Sequence, residues 1–160
     1  LADGKLDQQT YTDLQAAQAV SQVETLALAQ GRAHAVANAY TRIAPGSDGA
    51  DVRQRLAGVP LAGQPRLILR PHLEILHDNV QAAHGATWGA LPEDALFYAR
   101  QRGLDEASAR SLIIEGMARA LLQRCLGQDD DGLLAQWLGG GWLARAIAVQ
   151  LQADMEERHG

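Results

Sequence analysis

The groups in this 160-residue chain that could bind a metal or move protons are five histidines, one cysteine and nineteen carboxylates. His84 stands apart. It lies in the uncharged run Ala82–Gly89 beside Gly85, where a neutral imidazole is able to ligate a metal near neutral pH. Its competing role is structural, shaping a turn or satisfying a hydrogen bond at an interface. His72, Glu74 and His77 have the residue types of a cupin-like metalloenzyme site. Strand alternation nevertheless turns His72 and Glu74 to one face and His77 to the other unless Pro71 or a bulge alters the register. An exposed, hydrated strand face is the better account, with Glu74 free to pair with an arginine such as Arg53 or Arg55. Cys125 falls beside Leu121 and Leu122 in a helical stripe, the setting of a small core residue rather than a reactive thiol. A single cysteine cannot close an internal disulfide or complete the usual ligation of an iron–sulfur cluster.

Other chemistries lack their residues. Serines occur only at 21, 47, 108 and 111, without GxSxG, and there is no GxxxxGK[ST] phosphate loop. Gly139-Gly140-Gly141 has no following lysine or hydroxyl to make a phosphate cradle and reads as a helix break. Lys5 is the only lysine, and fourteen basic against nineteen acidic residues give a net charge of −5. With no basic cluster to track a phosphate backbone, nucleic-acid binding is not expected. No run approaches the roughly 18 apolar residues of a membrane span, and LADGKLDQQT lacks the pattern of a secretion signal. A cytoplasmic location is the expectation. The first residue is leucine rather than methionine, and a fragment of a longer protein is the expectation. At 47% hydrophobic and 21% charged residues, the chain can bury a core of its own, removing roughly 70% of its unfolded surface from water.

The elements that must hold these side chains come in two halves. From Thr10 to about Leu91 the pattern has period two. Ala33, Ala35, Ala37, Ala39 and Thr41 alternate with His34, Val36, Asn38, Tyr40 and Arg42, so a strand collects the small residues on one face where a helix would scatter them. Val20–Leu28 and Arg66–Leu76 read the same way, with Leu67, Leu69, Leu73 and Ile75 opposite Arg70, His72 and Glu74. Pro71 predicts a break or bend. Gly31, the stretch Pro45–Gly49, Gly58, Pro60, Gly63 and Pro65 are read as turns. Short, evenly punctuated strands fit a β-sandwich or a β-solenoid, and periodicity does not choose. After Leu91 the period is helical. Pro92–Arg102 is one helix, stopped by Gly103. A second is capped by Asp105 and reaches about Leu126, roughly 33 Å, with a stripe of Ala109, Leu112, Ile113, Met117, Ala120, Leu121 and Leu122. Leu133–Arg158 is helical in pattern with a corner at the three glycines. Its Trp137, Trp142 and neighbouring leucines either pack on the second helix or form a partner groove.

From Arg70 onward the chain resembles the SufB/SufD family of iron–sulfur cluster assembly proteins, and SufD more closely. The resemblance is carried by Pro71-His72-Leu73-Glu74-Ile75, Asp78-Asn79-Val80, His84-Gly85-Ala86-Thr87, Leu96-Phe97-Tyr98 and Arg102-Gly103. It extends more weakly upstream, so that it covers roughly residues 10–125, and corresponds to the C-terminal portion of longer proteins. It implies a mainly β fold with C-terminal helices: part of a right-handed parallel β-helix over residues 1–91, then a small helical domain over 92–160. It implies a non-enzymatic scaffold, pairing with a SufB-like scaffold or itself and binding a SufC-like ABC-type ATPase. On that reading Phe97, Tyr98, Arg102, Leu112, Ile113 and Met117 are candidates for ATPase docking, and Asp78, His84 and Thr87 for the partner interface. His84 becomes the candidate ligand for transient iron or a nascent cluster shared with a partner, no cofactor being held stably. Many relatives carry a cysteine two residues before that histidine, where this chain has Ala82, which lowers affinity for soft iron sites. The alternatives are a purely structural, self-associating solenoid module and the cupin-like enzyme.

Overall fold

A computed structural model describes residues 3–126 together with Gly141, Arg145, Ile147 and Val149. Six strands, β1 (Lys5–Leu14), β2 (Val20–Gly31), β3 (His34–Ile43), β4 (Asp51–Gly63), β5 (Arg66–Ile75) and β6 (Gln81–Trp88), precede two helices, α1 (Glu93–Gln101) and α2 (Glu106–Leu126). The strands form two three-stranded sheets ordered β1-β3-β5 and β2-β4-β6. Consecutive strands therefore alternate between sheets. Every ladder is parallel: Lys5 lies opposite His34 and His34 opposite Arg66, while Val20 lies opposite Asp51 and Asp51 opposite Gln81. Parallel pairing sets aside the antiparallel sandwich.

The alternation of β3 is the reason for this packing. Ala35, Ala37, Ala39, Thr41 and Ile43 are buried between the two sheets, and β4 answers with buried Val52, Gln54 and Leu56. Small residues on one wall let the opposite wall approach. Gly58, read from the sequence as a turn, instead lies inside β4, where an added Cβ would stand 3.1 Å from Leu69 Cδ1. Pro60 also belongs to β4. It pairs with Ala29 beside a bulge, since the next ladder pair is Gln30 with Ala62, and a bulge tolerates a missing ladder donor. The true corners are Gly31, Gly46, Gly49 and Gly63, all with positive φ. At the Pro45–Gly49 corner, Ser47 is fully buried and its hydroxyl donates to the Leu14 carbonyl at 2.9 Å.

Pro71 does not break β5. The amides of Arg66 and Leu76 donate to the carbonyls of Ala33 and Ile43, which makes the even residues of β5 the ladder donors to β3. Pro71 is odd, so its missing N–H falls on the open edge of an edge strand. β1 begins at Lys5, five residues before the periodicity is visible in sequence. Glu74 pairs not with Arg53 or Arg55 but with Arg42 on the adjacent strand at 3.6 Å, and accepts a short hydrogen bond from the Tyr40 hydroxyl. Arg53 and Arg55 are on the other sheet, where they pair with Asp51 and Glu24.

Helix α1 lies between Pro92 and Arg102, and Gly103 follows with φ +88°. Asp105 caps α2, its carboxylate accepting from the Ser108 amide at 2.8 Å and the Ser108 hydroxyl at 3.0 Å. These bonds hold the Asp105 carboxyl below its ordinary range. The face of α2 that packs inward carries Ala109 and Ile114, both fully buried. Leu112, placed in the apolar stripe by sequence, is instead 55% exposed. Ile114 joins Val59, Leu91 and Ile147 in a cluster flanked by Leu26, Leu28, Leu61, Leu96, Ile113 and Met117. The boundary drawn after Leu91 thus falls in the connection from β6 to α1, and Leu91 itself belongs to the core that joins helices to strands. The expected helices of 133–158 and their tryptophans lie outside the described residues, apart from the four named above. Gly141 has φ +62°, outside the right-handed helix, and accepts from the Arg145 amide.

The far end of α2 is tied to β2 by Arg124, which donates to the Glu24 carboxylate at 2.9 Å, with Arg55 at 3.8 Å on the same carboxylate. The Glu24 side chain is 5% exposed. Burial raises its pKa, but hydrogen bonds from Arg124 and Gln22 outweigh that and hold it below its ordinary 4.5. A depressed carboxylate stabilises the fold above its unfolded value and loses that contribution as pH falls through the folded one. Acidification below about pH 4.5 is therefore expected to loosen the end of α2. Arg124→Met should weaken the fold at neutral pH by about 1–2 kcal/mol and flatten this acid dependence, as followed by helix circular dichroism in denaturant series at several pH values. An unchanged acid profile in the variant would show that the pair does not fasten the helix.

Candidate functional site

His84 sits on β6, the edge strand of its sheet, and all eight residues of β6 are exposed. The ladder decides which way each points. Ala82, His84 and Ala86 pair with Val52, Gln54 and Leu56, so they share the inward face of those buried residues. Trp88 continues the row: it pairs with Gly58, and its Cδ1 lies 3.5 Å from where a Gly58 Cβ would stand. The inward row of this edge strand thus consists of Ala82, His84, Ala86 and Trp88, and no described element covers it. Trp88 is 68% exposed. Beside it Leu67 and Leu69 of β5 with Ala86, Thr87 and Trp88 line an open cavity of about 240 Å³. Ile75 and Leu76, where β5 ends, are also exposed.

The backbone of β6 is open as well. Gln81 and Gly89 donate their amides to Ala50 and Gly58, which makes the odd residues the ladder donors. The N–H groups of Ala82, His84, Ala86 and Trp88 consequently face away from β4. An edge strand with small side chains and unpaired backbone is a template for another strand. Asp78 is exposed in the connection before β6, with its carbonyl accepting from Val80, and Thr87 is exposed on β6 itself. The three interface candidates thus fall on one strand and the turn that leads into it.

The helical candidates divide. Phe97 and Tyr98 are 66% and 60% exposed, and the Arg102 guanidinium stacks on the Tyr98 ring with its carbon 4.7 Å from the centroid. Leu112 is exposed too. Ile113 and Met117 are not surface anchors, because both pack against the Val59–Leu91–Ile114 core. An outward apolar group on α1 with a stacked arginine is what a protein partner would grip.

His72, Glu74 and His77 are not assembled into a metal site. Glu74 is engaged with Tyr40 and Arg42, His72 stands by the Tyr40 ring on the outer face, and His77 Nε2 lies 3.6 Å from the Asp48 carboxylate. Among the described residues no three His, Cys, Asp or Glu side chains converge as metal ligands. Cys125 is exposed rather than in the core. Partial burial of its sulfur and the nearby Glu24 carboxylate push the thiol pKa up against the pull of Arg124, so it stays protonated at neutral pH. No described helix is long and apolar enough to cross a membrane. Sequence reasoning missed Trp88 and Gln54. The signal for Gln54 was a polar residue between Val52 and Leu56 on the face that alternation buries.

The chain matches the sequence model described as SUF system FeS cluster assembly, SufBD core domain, over residues 2–117. It is 38% identical over 76 residues to an iron–sulfur cluster assembly SufBD family protein of Synechocystis, covering 48% of this chain and 17% of that one. It is likewise 38% identical over 69 residues to the iron–sulfur cluster assembly protein SufD of Escherichia coli, covering 43% of this chain and 16% of that one. The chain therefore aligns with only a small part of each of these relatives.

Proposed function

Because the chain belongs to the SufB/SufD family of iron–sulfur cluster assembly proteins, we propose that it works there as a SufD-like, non-catalytic scaffold subunit that pairs with a SufB-like scaffold. Its two parallel sheets are read as opposite walls of a right-handed parallel β-helix, since crossovers between parallel strands take the right hand almost without exception. The partner covers the last rung of that coil. The observation that carries the reading is β6, exposed along its whole length, with an inward row and a backbone edge that no other described element covers. An end of this kind holds apolar surface and hydrogen-bonding groups whose burial favours association.

In this role His84 contributes one imidazole to iron or a nascent cluster, which is the cargo of the assembly. Ala82 brings no thiolate to the same row, so the sulfur ligands come from the partner. The exposed Phe97, Tyr98, Arg102 and Leu112 dock a SufC-like ABC-type ATPase, whose motion reaches the coil through the packing of Ile114, Ile113 and Met117 on Val59 and Leu91.

Ala82→Pro tests the edge. Its amide points away from β4, so proline removes an outward donor without taking a bond from the ladder. Mixed with a SufB-like scaffold and the ATPase, the unaltered chain is expected to co-elute with the scaffold in size exclusion with light scattering. The variant should fold but lose at least about ten-fold in affinity, one interface hydrogen bond and a steric block combined. Scaffold binding at full strength by the variant would reject the edge as the interface, and a stable dimer of the chain that ignores the scaffold would replace the heteromeric partner with a second copy.

A further inference from the structure

We infer that Gln54 is the positioning residue for the His84 imidazole: its side-chain oxygen accepts a hydrogen bond from one ring N–H, which leaves the other ring nitrogen bare toward the uncovered end of the coil. The inference rests on the reading of His84 as a ligand to transient iron, and it adds the group that makes the ring a ligand of fixed tautomer and direction.

Gln54 is 3% exposed in the core between the sheets. Its Nε2 donates to Thr41 Oγ1 at 2.6 Å, to the His72 carbonyl at 3.1 Å and to the Ala39 carbonyl at 3.3 Å. Two of these partners are backbone carbonyls, which only accept, so the amide cannot be flipped. Its Oε1 is consequently the atom left over, and that oxygen is buried without a hydrogen-bond partner among the described residues. A buried acceptor without a donor is costly and calls for a reason.

The donor-bearing side chain opposite Gln54 on the adjacent strand is His84, whose exposed ring makes no hydrogen bond to Oε1 in this structure. It is the register partner of Gln54 on the neighbouring strand, and both side chains project from the same face, so their Cα atoms are about 4.8 Å apart. The flanking members of the two rows, Val52, Leu56, Ala82 and Ala86, have no side-chain donor; on the other side Val23 of β2 is the register partner of Gln54 and has none, while the Ser21 and Thr25 hydroxyls are a diagonal step away. Trp88 is two residues beyond Ala86, too far along the strand for its indole N–H to serve. The exposed His84 side chain has to turn inward to lie across the Gln54 amide. A neutral imidazole has one donor and one acceptor nitrogen, and a bond made by the first decides the identity of the second. Metal-binding histidines are commonly fixed in this way by a neighbouring oxygen.

The test is a two-bond proton–nitrogen correlation spectrum of the full chain labelled with nitrogen-15 in histidine, recorded above the imidazole titration range at about pH 8.5. One His84 tautomer is expected to exceed the other by about ten-fold, the ratio that one ordinary hydrogen bond supports. In Gln54→Met the two should approach the ratio of a free imidazole. A folded Gln54→Met protein that keeps the same tautomer ratio would overturn the pairing. Should that variant not fold, the unaltered chain decides alone, because a free-imidazole mixture there overturns it and a single tautomer sustains it. Cluster yield with His84→Ala reads the ligand role separately. A locked tautomer with full yield would leave the Gln54 pairing standing and remove the ligand, whereas a freely exchanging ring with lost yield would do the reverse.

Discussion

Gly63→Ala is expected to lower the stability of the fold by about 3 kcal/mol or more, the largest effect of any single methyl added to a described corner. A Cβ at Gly63 would stand 2.7 Å from the Gly31 carbonyl oxygen and 2.9 Å from both its Cα and its nitrogen. These are backbone atoms and cannot rotate away. Gly31 and Gly63 are ladder partners at the ends of β2 and β4, so the two corners lie directly against each other, and the methyl would have to part the sheet where it turns. The φ of +73° adds the left-handed cost of about 1–2 kcal/mol that any side chain bears. Gly46→Ala isolates that second part, because its φ is +88° and nothing lies within 4 Å of its added methyl. Thermal unfolding should show a fall of several degrees for Gly46→Ala and a clearly larger one for Gly63→Ala. Equal falls would mean that backbone conformation alone is felt and that the corners do not stack.

That pair of glycines also marks how far a sequence can be read. Gly31 and Gly63 announce turns by type, but their contact across 32 residues is a property of the register and leaves no local trace. Periodicity was enough for β3, where Ala35, Ala37, Ala39, Thr41 and Ile43 alternate with larger or polar residues, and for the helices, whose ends carry Pro92, Gly103 and Asp105. It failed in β4 because Gly58 and Pro60 have the composition of a turn. Their reasons for lying in a strand are tertiary: Gly58 makes room for Leu69 and Trp88, and Pro60 sits beside a bulge. Pro71 misled for the same reason, since only the ladder reveals that its nitrogen is on an outer edge. Its uncharged setting and the family resemblance both singled out His84 but not its neighbour Gln54, whose significance depends on which residues of β4 and β6 are opposite each other. Leu112 and Ile114 exchange roles because the helical stripe is broad, and the strand beneath it chooses which side is buried.

His84→Ala is the second large effect, an expected loss of at least about ten-fold in cluster formation when the chain is reconstituted with a SufB-like scaffold, the ATPase, iron and a sulfur source. The described residues gather no set of three metal ligands, Cys125 lies exposed at the end of α2 with a raised thiol pKa, and Ala82 leaves the inward row without sulfur. Among the described residues the imidazole is the one nitrogen or sulfur ligand on the inward row of β6, and on the proposed role its removal would leave iron with the partner's ligands alone. Folding should barely register the change. His84 is exposed, so the variant forfeits at most a hydrogen bond to Gln54, about 1 kcal/mol. Binding to the scaffold should persist too, because the edge amide at position 84 and the apolar groups around Trp88 are untouched. Iron and acid-labile sulfur per complex, measured beside complex yield, separate the possibilities. A normal cluster content would remove His84 from the chemistry and leave the chain a purely architectural cap, while a complex that no longer assembles would make the ring a packing group of the interface.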